Sequence, residues 1–126
     1  MNILRDMPSD YKIGRCYLPV RNPKDLAEVQ PVFEKWLNTA AAHLDAGWRY
    51  TLSIPAREMR LRLACIWPIW IGVKTIARLR EVNPLEAGER VKVSRSEVYR
   101  LMLSSLLSVR SNAALERQYQ RLKTGK

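Results

Sequence analysis

A chain of 126 residues fits one domain or part of one and is long enough to bury a modest core. Its 47% hydrophobic and 27% charged content excludes general disorder, and its longest apolar stretch, the eleven residues Leu63–Val73, excludes a bilayer-spanning helix, which needs about 20. The formal net charge of +10 is concentrated in the second half, where residues 61–126 balance at +8 against +2 for residues 1–60, so an anionic partner is expected.

Residues 2–7 read as the end of a helix, which Pro8 interrupts by removing a hydrogen bond and crowding the preceding turn. Residues 9–23 carry Gly14, Pro19 and Pro23 and read as a loop. A second helix follows from the stripe Leu26, Val29, Phe33, Leu37, Ala40, Leu44 and Trp48, spaced by three or four throughout. Asp25 suits its N-terminal end, Pro31 suits a first turn, and Ile54-Pro55 stops it. Residues 56–82 read as a third helix, apolar around most of its surface and therefore buried, with Pro68 kinking it and Asn83-Pro84 ending it. A connection over 83–93 contains Gly88 and Arg90-Val91-Lys92-Val93, the one run with a hint of strand. Ser94 or Ser96 then caps a last helix, Ser94 with Glu97 in capping-box spacing, and Val98, Leu101, Met102, Leu106, Val109 and Ala113 supply its apolar face. The polar residues after about 115 are expected to fray. The fold class is all-α, with about three to five helices.

Most single residues have plain readings. Cys16 and Cys65 stand alone and read as free thiols; with His43 the only histidine, no structural zinc site is expected. Trp36, Trp48, Trp67 and Trp70 read as core, His43 as a surface or packing residue, and Arg78 and Arg80 as solvated. The first residues, with Arg5, Asp6, Pro8 and Asp10, lack the apolar region of a secretory leader, and a cytoplasmic location is expected.

Asn2, Asp6 and Asp10 recur at intervals of four, which on a continuous helix aligns three oxygen-bearing side chains on one face. Such a row suits a hard divalent cation such as Mg²⁺, which keeps several waters and is commonly shared with substrate phosphates. The whole run Asn-Ile-Leu-Arg-Asp-x-x-x-Asp over 2–10, followed by Gly14-Arg15-x-Tyr17-x-Pro19, resembles the second aspartate-rich motif of the squalene and phytoene synthase family. The buried 63–76 helix and the basic run 90–95 continue the resemblance in order and spacing to about residue 110. Two departures are Ser9, where the family usually carries Glu, and Pro8, which is unusual within that segment.

The resemblance implies an isoprenoid-synthase helical bundle of which this chain, 1–126, is the C-terminal half: the second motif and its turn over 1–23, then a helical portion over 24–126 with a basic end. It implies a transferase that joins two prenyl diphosphates head to head, two farnesyl diphosphates giving presqualene diphosphate and then squalene. It assigns Asn2, Asp6 and Asp10 to Mg²⁺, with Asp6 foremost, Arg15 and Tyr17 to catalysis, and Lys92 with its neighbour Arg95 to the phosphate of NADPH. No second D-x-x-x-D occurs after residue 10. The chain alone is therefore expected to be inactive and to need a missing N-terminal half or to self-associate. A phytoene or dehydrosqualene synthase-like member is the near alternative, a degenerate scaffold another. A basic helical nucleic-acid-binding module is the reading from a different class, though no recognised binding pattern accompanies the charge and nucleic acid is not the expected partner. Any membrane contact is expected to be peripheral.

Overall fold

A computed structural model describes residues 2–85 and 91–125. Among them are five helices and no strand: α1 Asn2–Lys12, α2 Leu26–Ser53, α3 Met59–Leu79, α4 Arg95–Ser108 and α5 Asn112–Lys123. The expected all-α class stands. Residues 91–93 are irregular rather than strand, and Gly88 and Arg90 lie outside the described residues.

The apolar third helix organises the rest. α3 buries Ile66, Trp70, Val73, Ile76 and Leu79 and packs against each of the other four helices. Its C-terminal half meets the start of α2, where Ile76 and Leu79 join Val29, Phe33 and Leu37, together with Leu4 and Met7 of α1. Its N-terminal half meets the end of α2, where Ile66 and Trp70 join Trp48, together with Leu115 and Tyr119 of α5. α2 and α3 therefore run antiparallel, and two core clusters sit at the two ends of their seam. The helices approach closely near Gly47, where a Cβ would stand 3.3 Å from Ile69 Cδ1.

The expected stripe of α2 is largely the buried one: Val29, Phe33, Leu37 and Trp48 are buried, Ala40 and Leu44 half-buried, and Leu26 at the tip is exposed. Asp25 caps the helix by accepting from the Ala27 N–H at 3.0 Å, and Ile54 ends it. Regular helix begins at Leu26 rather than near Pro31. Proline also fails to break α1, which runs through Pro8 to Lys12. A proline costs one hydrogen bond and some crowding, but Pro8 is buried beside Leu4 and Met7, and that packing offsets the loss. Pro68 likewise lies within a continuous α3.

The last helical stretch is two helices rather than one. The Ser94–Glu97 capping box starts α4 as expected. Ser111 then accepts from the Ala114 N–H and starts α5, while its own N–H closes a turn on the Ser108 carbonyl. The residues expected to fray form α5 instead, because Leu115 and Tyr119 enter the second core. Tyr119 stacks on Trp48 with ring centroids 4.5 Å apart, and its hydroxyl donates to Asp45 at 2.6 Å. Trp48 Nε1 donates to Glu116 at 2.7 Å, so α2 and α5 are joined by an apolar face with polar contacts at its edge. Buried Arg62 of α3 donates to Asn112 at the start of α5.

Two substitutions separate core from cap. Phe33→Ala, in the first cluster, is expected to cost about 3–5 kcal/mol, and Ser111→Ala about 1 kcal/mol, as read from urea unfolding midpoints.

Candidate functional site

Because α1 continues through Pro8, Asn2, Asp6 and Asp10 all belong to one helix and align on one face of it. At 1.5 Å rise per residue, neighbours in the row are separated by about 6 Å along the axis. The opposite face, with Leu4, Met7 and Pro8, is buried, which holds the row away from the core. Asn2 is exposed and Asp10 half-exposed. Asp6 is engaged by its neighbour: Arg5 Nε and Nη2 donate to its two carboxylate oxygens at 2.9 and 3.2 Å. That hydrogen bond raises the Arg5 pKa. Ser9 turns its hydroxyl back to the Asp6 carbonyl at 2.8 Å.

These donors are all oxygens, the type that Mg²⁺ takes. No group of three or more His, Cys, Asp and Glu side chains that could hold a metal ion by themselves occurs among the described residues. The row fits a cation whose remaining ligands come from water, substrate phosphate and a second carboxylate set. It does not fit a closed protein cage.

The helix ends in a Schellman turn. Gly14 takes the left-handed conformation, φ 75°, its N–H bonds the Tyr11 carbonyl, and the Arg15 N–H bonds the Asp10 carbonyl at 2.9 Å. The turn fixes Arg15 relative to Asp10. It also gathers Arg15 with Lys12 and Lys24 around a cleft of about 460 Å³ that has no carboxylate in its lining. Neither lysine stands out in the sequence, since only the turn brings them together. Tyr17 lines a separate cleft of about 380 Å³ with Ile3, Pro19, Trp36 and His43. Ile3 lies one helical turn before Asp6, so this mostly apolar cleft adjoins the acidic row. Trp36, expected in the core, is a cleft wall instead, whereas Trp48 and Trp70 are core and half-buried Trp67 donates to Ser105 at 2.9 Å.

Lys92 and Arg95 are both exposed, at the entrance to α4. Their segment is anchored from α3. Arg78, expected to be solvated, donates to both carboxylate oxygens of Glu97 at 2.6 and 2.8 Å and to the Lys92 carbonyl. Lys74 pairs with Glu97 at 3.0 Å. The Ser94 backbone N–H and hydroxyl, helped by Lys74, hold the Glu97 carboxyl down at about 2 from 4.5. Arg80 is exposed, as expected, and donates to Asn38. Val91, next to Lys92, packs on the same core cluster as Leu4 and Met7, so one core carries both the acidic row and the basic segment.

The model of the squalene/phytoene synthase family matches residues 1–97, more than three-quarters of the chain. The match takes in the acidic row, the turn, both clefts and the Lys92–Arg95 segment. No curated protein and no solved structure matches.

Glu97 titrates from an ordinary 4.5 when unfolded to about 2 when folded, so its contribution to stability is present above 4.5 and lost as pH falls toward 2. Melting temperature is expected to fall across that window, and Glu97→Gln is expected to remove this share of the fall while lowering stability at neutral pH.

Proposed function

This chain belongs to the squalene/phytoene synthase family of head-to-head prenyltransferases, and from that premise we propose that it forms one wall of a Mg²⁺-dependent prenyl diphosphate site. The observation that carries the proposal is the continuous α1. It aligns Asn2, Asp6 and Asp10 beside an apolar cleft and hands the chain to Arg15 through a fixed turn.

In this reading Asp6 and Asp10 are the charged ligands and Asn2 a neutral one. Bound Mg²⁺ would supply Lewis-acid stabilisation of a departing diphosphate. Arg5 donates to the Asp6 carboxylate, and would be free to turn toward phosphate oxygens if that carboxylate held Mg²⁺. Arg15, with Lys12 and Lys24, offers a guanidinium fork and two ammonium groups to the diphosphate. The cleft of Ile3, Tyr17, Pro19 and Trp36 takes the prenyl chain and excludes water from the reacting carbons. A second carboxylate row must come from another polypeptide segment, because this sequence has no further D-x-x-x-D after residue 10.

Within the family we favour the squalene type acting on farnesyl diphosphate, with Lys92 and Arg95 contacting the phosphate of NADPH. The exposed basic pair, held in place through Arg78 and Glu97, supports that assignment. A phytoene-type member would need no reductant.

Calorimetric titration checks both parts. Farnesyl diphosphate is expected to bind the chain only with Mg²⁺ present, and Asp6→Asn to weaken it by about tenfold to a hundredfold, the weight of one charged ligand. Equal affinity with and without Mg²⁺ would refute the metal wall. NADPH binding that is weakened by Lys92→Ala favours the squalene type; no NADPH binding removes it in favour of the phytoene type. Turnover by the isolated chain would refute the need for a second row.

A further inference from the structure

The helix α4 leaves most of its large apolar side chains outside. Its two buried residues are both serines, Ser105 and Ser108, and Ser104 and Glu97 also lie on the inward side. Leu101 packs inward on the second core, but four other large apolar side chains face solvent: Tyr99 is 70% exposed, Leu103 64%, Leu106 48% and Leu107 87%. At 100° per residue these four fall on one face, with Arg95 along one edge and Arg100 along the other. Arg110 stands exposed just beyond the C-terminal end.

We infer that this face of α4 lies on an anionic lipid surface, the helix flat in the interface with its leucines dipped below the headgroups and its arginines among them. A bilayer offers both chemistries at once, an apolar layer under a plane of negative charge. Fourteen residues make a helix of about 21 Å, which suits lying in the interface. No described helix is long and apolar enough to cross a membrane.

The surrounding charge favours lipid over a second copy of the chain. Residues 91–126 carry eight basic groups and two acids, Glu97 and Glu116. Both acids are engaged internally, Glu97 with Arg78 and Lys74 and Glu116 with Trp48 and Gln120. Two copies meeting through α4 would set arginines against arginines with no carboxylate on either face. The apolar face and its Arg100 edge lie beyond the residues matched by the family model, so the inference depends neither on the diphosphate site nor on Arg95, which is assigned above to the reductant.

Vesicle flotation of the whole chain tests it. The chain is expected to float with vesicles containing phosphatidylglycerol, to stay behind with pure phosphatidylcholine, and to be released by salt. Leu107→Glu is expected to reduce partition by about tenfold or more, the worth of one buried leucine, and Arg100→Gln by about fivefold, the worth of one surface charge. Because Leu107 is nearly fully exposed, its circular dichroism and melting temperature should match the parent, which separates lost binding from lost folding. Failure to float with the anionic vesicles, flotation unchanged by Leu107→Glu, or a dimer in light scattering that Leu107→Glu dissociates would each overturn the inference. The last result would assign the face to a second copy.

Discussion

α3 cannot be left in water. Its middle is apolar on most of its surface, so the chain has to surround it, and each of the other four helices contributes to that cover. This one requirement sets the antiparallel α2–α3 seam, the two cores at its ends and the docking of α5 through Tyr119 and Leu115. It also explains why prolines that would break a free helix do not break these. Burial of a whole helical face outweighs the loss of a single hydrogen bond.

The functional elements hang on this scaffold by polar joints. Burial pushes the Asp45 carboxyl up, but bonds from Tyr119 and Lys123 outweigh it and leave the group below its ordinary range, ionised between α2 and α5. Burial, followed by that same bond to Asp45, raises the Tyr119 phenol and keeps it a donor. Arg78 and Glu97 act similarly between α3 and α4, and through the Lys92 carbonyl they fix the basic segment. The acidic row is positioned differently, by burial of the other side of its own helix and by the Gly14 turn.

What the sequence discloses follows the range of the interaction. The α2 stripe, the Asp25 cap and the Ser94–Glu97 box rest on neighbours three or four residues apart, and all are legible. The family is legible too, because its motif is an ordered run. The continuity of α1 is not, since it depends on what Pro8 packs against rather than on Pro8 itself. The break between α4 and α5 hides behind Ser111, a cap indistinguishable in sequence from an ordinary polar helix residue. The cluster of Lys12, Arg15 and Lys24 needs the turn, and Trp36 looks like core until α1 and the 17–19 segment open a cleft beside it.

The serine lining of α4 gives the molecule two joints of opposite character. α2 and α3 are held by apolar area, which excluded salts such as sulfate strengthen. α4 has two serines as its fully buried residues, adds Leu101 to the second core, and leans on the partly exposed Glu97 pairs with Arg78 and Lys74, which mobile ions screen. An excluded salt such as sulfate therefore acts on the two joints in opposite senses, strengthening the apolar seam of α2 and α3 while screening the ion pairs that hold α4.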